Sequence, residues 1–158
     1  MGLRDQNVIM SDSQDLTGAG TGATLCSKSI DLWGGASSGG LITDTTLQTD
    51  VNGNSPAHDP GLADMGLDVR VDAAVTSAGA ATVQAQVITA DDQALTTNVT
   101  IIQQTDAIAK ATLVAGYRFK LGRLPPGMSQ RFLGVQYNVG TAALTAGKVS
   151  ASLVATPQ

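Results

Sequence analysis

Glutamate is absent from this chain of 158 residues, in which all thirteen acidic side chains are Asp. Because Glu is a good helix former whereas Asp favours caps and turns, this absence indicates a fold with little helix. The single cysteine, Cys26, excludes an intramolecular disulfide. No apolar run reaches the roughly 18 residues of a transmembrane helix, and the first residues lack the apolar core of a signal peptide. We therefore expect a soluble protein made in a cytoplasm.

Side chains that commonly carry catalysis are also scarce, since the chain has one histidine, one cysteine and 3% aromatic residues. A nucleophilic pair of Cys26 and His58 would need a proximity that nothing in the sequence indicates. His58 with Asp59 and Asp64 offers too few nitrogen or sulfur ligands for a typical zinc site. The glycine-rich stretch at 18–23 is followed by a strand-like run and not by the helix of a dinucleotide site. We predict no catalytic residues, no cofactor and no metal site.

Charge is distributed unevenly along the chain. Residues 1–106 contain all thirteen Asp and three cations, for a net charge of −10, whereas residues 107–158 contain six cations and no acid. This division either creates complementary patches on neighbouring molecules or cancels within one folded domain. The overall charge of −4 and a pI of about 4.6 argue against a nucleic-acid-binding protein.

Apolar and polar residues alternate along several segments, which is typical of strands with one buried face. The clearest are 67–75, 82–88, 113–121, 131–139 and 148–154, and weaker candidates are 24–32, 41–51 and 98–102. Gly, Pro, Asn and Asp separate these segments. Together they predict an all-β protein, an antiparallel β-sandwich of jelly-roll type with about eight strands and little helix.

Two segments do not fit the alternating pattern. Residues 1–23 are interpreted as an extended N-terminal arm, which leaves 24–158 as a single β-sandwich domain. Residues 52–66, which include His58, form a long predicted loop, and loops of about 15 residues tend to be functional or mobile. Trp33, followed by two glycines, is expected either to cap the core or to lie in an interface.

The order of motifs along the chain carries a resemblance. The segments are VIMSDSQDLTGAG at 8–20, SKSIDLWG at 27–34, AGYRFKLGRLPPG at 115–127, QRFLGVQYNVG at 130–140 and TAGKVSASLV at 145–154. In this order they resemble the jelly-roll capsid cement (decoration) proteins of tailed bacteriophages. The loop at 52–66 departs from the pattern of that family.

The resemblance implies a non-enzymatic structural protein of the virion. Such a protein is assembled in the host cytoplasm, binds the outer surface of the head and bridges neighbouring major capsid subunits, which stabilises the expanded shell. The implied partners are the major capsid protein and copies of the chain itself, with a dimer favoured over a trimer, and neither nucleic acid nor membrane. The residues expected at the interface are Leu3, Arg4, Val8, Ile9, Trp33, Arg118, Lys120, Arg123 and Arg131.

A different function for the same fold is a carbohydrate-binding module on the virion that touches the host surface. That interpretation needs exposed aromatic side chains grouped in loops, and the sequence supplies few aromatic residues. A small hydrolase is a third interpretation, and it lacks a catalytic constellation.

Overall fold

A computed structural model describes residues 9–32, 65–125, 128 and 130–154 of the chain. Its regular elements are nine strands and one 3-10 turn, Thr17–Ala19. The strands are β1 (Ile9–Asp15), β2 (Gly22–Leu25), β3 (Ile30–Asp31), β4 (Gly66–Thr76), β5 (Thr82–Ala90), β6 (Thr100–Gln104), β7 (Ile108–Ala109), β8 (Phe132–Gly140) and β9 (Ala146–Val154). None of the described segments forms a helix long and apolar enough to cross a membrane.

The strands form two antiparallel sheets. The first has the order β1-β9-β4, and the second has the order β2-β8-β5-β6, with β3 also beside β8 and β7 also beside β5. Residues 113–124 run antiparallel along the remaining edge of β4. Their backbone bonds include those from Val71 N to Tyr117 O (2.8 Å) and from Phe119 N to Val69 O (2.9 Å).

The pairing of these elements is nested. The first strand pairs with the last (β1 with β9), β2 pairs with β8, β4 pairs with residues 113–124, and β5 pairs with β6. A long hairpin rolled over itself produces this nesting, which is the jelly-roll architecture. The predicted all-β sandwich of jelly-roll type is therefore confirmed.

The core lies between the inner faces of the two sheets. Alternate residues of the central strands are buried there, as the period of two along a strand requires. In the first sheet they are Leu67, Val69, Val71, Val149, Ala151 and Leu153, and in the second they are Val83, Ala85, Val87, Leu133, Val135, Tyr137 and Val139. The strands predicted at 67–75, 82–88, 131–139 and 148–154 are thus β4, β5, β8 and β9, with shifts of one to two residues at their ends.

The strand predicted at 113–121 is irregular. Gly116 has a φ of +89°, and Tyr117 N donates to Val114 O (3.0 Å), so a turn interrupts the alternation at this point. Leu113 and Phe119 are buried on either side of the turn while Ala115 is exposed. The segment still occupies the position of a strand, because it continues to bond β4 on both sides of the turn.

Weaker predictions are met in part. The segment 24–32 divides into the end of β2 and the whole of β3, and 98–102 overlaps β6. From the segment predicted as an arm, residues 9–15 form β1, and residues 16–23 contain the 3-10 turn and the start of β2. The candidate at 41–51, residues 1–8 and most of the loop at 52–66 lie outside the described residues.

Candidate functional site

The residues expected at an interface lie in several places. Leu3, Arg4, Val8 and Trp33 lie outside the described residues. Ile9 begins β1, and Arg118, Lys120 and Arg123 lie along the segment 113–124 at the opposite edge of the first sheet. Arg131 precedes β8 in the second sheet. The five described side chains of this set therefore do not form one patch.

Arg131 forms an ion pair with a carboxylate of the same molecule. Asp31 on β3 has no exposed side-chain surface, and it accepts bonds from Arg131 Nε (3.0 Å to Oδ1) and from a terminal guanidinium nitrogen (2.7 Å to Oδ2). The guanidinium also lies over the ring of Phe132, 5.1 Å from its centroid. The bonds to Asp31 raise the pKa of Arg131. Since a buried carboxylate needs a compensating charge, this arginine has a structural role.

Other cations of the second half also meet acids of the first half. Arg118 Nη1 lies 3.7 Å from Oδ1 of Asp68 on β4, although the side chain of Arg118 remains 57% exposed. Lys148 is paired with Asp15 in the register of β9 and β1. A backbone hydrogen bond from Thr17 is the largest cause that lowers the pKa of Asp15, and the charge of Lys148 contributes. The uneven charge along the sequence thus cancels in part within the folded domain.

Of the remaining predicted cations, Arg123 lies opposite Gly66 in an isolated β-bridge at the start of β4. Lys120 is exposed three residues before it. Both therefore lie along the same edge of the first sheet as Arg118.

Asp72 joins three strands on the outer face of the first sheet. Arg70 donates to it through Nε (3.2 Å) and a terminal nitrogen (2.9 Å), and the hydroxyl groups of Ser13 on β1 and Ser150 on β9 donate to its other oxygen. Partial burial alone would raise the pKa of Asp72, but the hydrogen bonds from Ser150, Arg70 and Ser13 outweigh burial and lower it.

The side of the sandwich formed by β1 and β2 is closed by hydrogen bonds between the sheets. Gln14 donates to Leu25 O (2.6 Å) and accepts from Ser27 N (3.1 Å) and Ser11 Oγ (2.7 Å). Lys28 N donates to Met10 O (2.9 Å). The hydroxyl of Tyr137 crosses the core to donate to Ser11 Oγ (3.0 Å). We call this the closed side.

The opposite side is formed by β6 and residues 113–124. Fewer such connections join the described residues there, and we call it the open side. The two edges approach each other where Gly122 faces Gln103, because a Cβ at position 122 would lie 2.8 Å from Gln103 Nε2. The three exposed large apolar side chains among the described residues are Val99, Ile101 and Val114, and all belong to this side. A shallow depression of about 460 Å³ lies along β6 and is lined by Ile101, Ile102, Gln103 and Gln104.

The loop at 91–99 ends directly before β6 and is held at several points. Leu95, at a φ of +57°, is buried against Gly134, where a Cβ would lie 2.2 Å from Leu95 Cδ1. Asp92 accepts from the backbone N–H groups of Thr96 (2.8 Å) and Thr97 (2.6 Å), and the bond from Thr97 is the largest cause that lowers its pKa. The loop therefore presents its two acids from an anchored backbone.

A family model for Bbp16 matches residues 36–153, which is three quarters of the chain. The protein belongs to the Bbp16 family. No curated protein matches the sequence. Membership of the Bbp16 family points to a phage protein, in agreement with the phage part of the resemblance seen in the sequence.

In this Bbp16-family chain the single thiol is part of the packing. Cys26 is buried, its sulfur accepts a bond from Val135 N (3.2 Å), and burial raises the pKa of the thiol. A thiol with a raised pKa is a poor nucleophile. His58, with which a nucleophilic pair was considered and not favoured, lies outside the described residues. Within the described ranges, no three His, Cys, Asp or Glu side chains come together as a set that could hold a metal ion.

Sequence reasoning emphasised the cations and missed the edge of β6 in this Bbp16-family protein. A signal was present, because the run Thr-Ile-Ile-Gln-Gln at 100–104 contains no charge and no proline. Natural sheets commonly place charged residues or proline on exposed edge strands, where these residues prevent unwanted pairing. The order of the strands in the sheet decides which strand lies at an edge, and this order could not be predicted from the sequence.

Proposed function

We propose that this protein is a cement protein of a phage head. It binds the outer surface of the capsid, bridges neighbouring major capsid subunits and stabilises the expanded shell. The observation that carries the proposal is the nested jelly-roll order of the strands, which is the architecture implied by the resemblance to cement proteins. The match to the Bbp16 family over residues 36–153 supports the phage part of the proposal.

The mechanical requirements of a cement protein agree with the packing. A bridge between capsid subunits has to transmit load without unfolding, and side-chain bonds hold this sandwich together both between its sheets and within one of them. The bond between Tyr137 and Ser11 joins the second sheet to the first, and the Asp31–Arg131 pair fixes β3 to the start of β8. The function requires binding and rigidity, and it assigns no catalytic role to any side chain.

The carbohydrate-binding alternative receives less support from the described aromatic residues. Phe119, Phe132 and Tyr137 are buried, and Tyr117 packs its ring edge-on against Phe119 with a centroid distance of 5.5 Å. The amides on the outer face of the second sheet bond one another, from Gln136 to Gln86 (3.2 Å) and from Gln86 to Gln104 (3.1 Å). Neither group therefore offers a free platform for a sugar ring.

The test uses purified full-length protein and expanded phage heads that lack it. We expect saturable binding to expanded heads, weaker binding to unexpanded heads, and a higher temperature of DNA release from the decorated heads. The unexpanded heads control for nonspecific adsorption. An absence of saturable binding would remove the cement function, and binding to host-cell glycans in the same assay series would favour the carbohydrate-binding module.

A further inference from the structure

The four edges of the sandwich differ in how they discourage pairing with a foreign strand. β1 carries Asp12 and Asp15 and has two register shifts against β9. Residues 113–124 carry three cations and the turn at Gly116. β2 is four residues long and lies beside the hydrogen bonds of the closed side. β6 has a single register shift against β5 and no charge, proline or glycine.

An unprotected edge strand is a template for pairing with another chain. We infer that the free edge of β6, along which no strand of the described residues pairs, accepts an extended strand of the major capsid protein, which adds to the second sheet as a further antiparallel or parallel strand. This inference rests on the proposed cement function and names the part of the surface that performs it. The accepted segment has about five residues, an apolar side chain over Ile101 and a Lys or Arg near the loop at 91–99.

The dimensions of the edge fit a short strand. Five residues of β6 span about 17 Å, at roughly 3.3–3.4 Å per residue. Ile101 is 49% exposed and stands opposite the fully buried Ile88 in the register of β6 and β5, so an apolar side chain placed over it would extend an existing apolar row. Gln103, which lines the depression, has a buried Oε1 that accepts no hydrogen bond from the described residues.

Two acidic residues near the edge of β6 indicate which kind of residue the added strand carries at one of its ends. Asp91 and Asp92 precede β6, and neither forms an ion pair with a cation in the described part of the chain. Asn98 Nδ2 donates to Asp91 (2.7 Å), and Leu95 anchors the loop on the sheet. A basic residue at the corresponding end of the added strand would meet two carboxylates that are already held in place.

A second copy of this chain fits the edge less well. Antiparallel pairing of two β6 strands would bring the exposed Asp106 of one copy next to Asp91 and Asp92 of the other, which is a juxtaposition of like charges. A five-residue edge also buries far less than the roughly 800 Å² per partner of a stable interface. A single short strand repeated over a shell avoids this difficulty, because many weak contacts act together.

The test compares three lysine variants in binding to expanded heads. Ile101→Lys and Thr100→Lys each place a charge on the free edge at an exposed position, and both are expected to lower the affinity at least about tenfold. Val114→Lys is the matched control, since Val114 is an equally apolar and even more exposed side chain (57%) at the other edge of the open side. It should bind as the wild type does, and all three variants should melt at the wild-type temperature.

Hydrogen exchange of the wild-type protein, free and bound to heads, provides a readout at the backbone. We expect amides of residues 100–104 to become protected on binding. Normal binding of both edge variants, or unchanged exchange in β6 of the bound wild type, would overturn the inference and leave the cement function intact. A wild-type protein that does not bind heads would remove both. Sedimentation of the free protein tests for self-association. If the wild type self-associates and the edge variants do not, the strand that pairs with β6 comes from a second copy of this chain, and the inference of a capsid strand is wrong.

Discussion

The two long sides of the sandwich are closed by different means. On the closed side, Gln14, Ser11 and Tyr137 form a continuous set of hydrogen bonds that joins β1, β2 and β8. On the open side, the edges of β6 and residues 113–124 approach at Gly122, and the side chains of Val99, Ile101 and Val114 face solvent. The same two sheets are therefore joined by hydrogen bonds between the layers on one side and carry exposed apolar side chains on the other.

This difference separates side chains that are bonded inside the fold from side chains that remain largely exposed. Arg131 was expected at an interface, yet its guanidinium bonds a fully buried carboxylate near the closed side. Arg118 has the same charge on the open side, and most of its side chain is exposed. Substitutions of the same chemical type on the two sides should consequently have unequal effects on stability.

The largest difference is expected between the two arginines. Arg131→Met leaves the buried Asp31 without its bidentate partner, and breaking such a pair costs about 3–5 kcal/mol. Arg118→Met removes a long, exposed ion pair worth roughly 0–1 kcal/mol. Urea unfolding of both variants measures the difference. Equal and small losses would mean that Asp31 tolerates the absence of Arg131, and the assignment of a structural role to this arginine would be wrong.

A smaller difference is expected between two glutamines. Gln14→Ala removes a side chain that donates to Leu25 O and accepts from Ser11 and Ser27, so we expect a loss of about 1–3 kcal/mol. Gln104→Ala on β6 is the comparison, because Gln104 is exposed and accepts one bond, from Gln86 Nε2, which also bonds Gln84 Oε1. We therefore expect it to lose no more than about 1 kcal/mol. Thermal unfolding of the two variants tests whether the closed side carries the stability. A Gln104 variant that is as unstable as the Gln14 variant would contradict the comparison.

The smallest effect is a dependence on pH through Asp72. The pKa of this residue is lower in the folded than in the unfolded state, so its contribution is present above the unfolded value of about 3.9 and is lost as the pH falls through the lowered folded value. Asp72→Asn should therefore cost about 1 kcal/mol near pH 7 and progressively less below about pH 4. Melting temperatures between pH 2 and pH 7 measure the gap to the wild type.

Ser150→Ala provides a check on the cause of this pH dependence. It removes one of the donors to Asp72 and retains the carboxylate, so it should reproduce part of the same gap. A gap between the wild type and Asp72→Asn that stays constant over the whole pH range would exclude Asp72 as its source.

The central strands could be predicted from the sequence because each buries one face. In β4, β5, β8 and β9 the alternation of apolar and polar residues continues for most of the strand, and a period of two is a direct consequence of the pleat. The segment 113–121 shows the same alternation but contains Gly116, whose left-handed backbone allows a turn. Alternation alone does not report such a turn, so the strand was predicted as regular.

The roles of the charged residues could not be predicted because they depend on register. Asp31 and Arg131 are 100 residues apart, and they meet only because β3 pairs with the start of β8. The same holds for Asp68 and Arg118, which are brought together by the pairing of β4 with residues 113–124. A count of charges along the chain shows the imbalance between the halves, whereas the pairing of strands decides where that imbalance cancels.

The nested strand order also has a consequence for synthesis. In the first sheet β9 lies between β1 and β4, so among the described strands the first pairs with the last to leave the ribosome. Until β9 is available, β1 has no partner among the described strands and β4 lacks its partner along one edge. Contacts of such long sequence separation form slowly. A chain that ends before β9 cannot complete the first sheet, so the strand order itself keeps an incomplete translation product from reaching the folded sandwich.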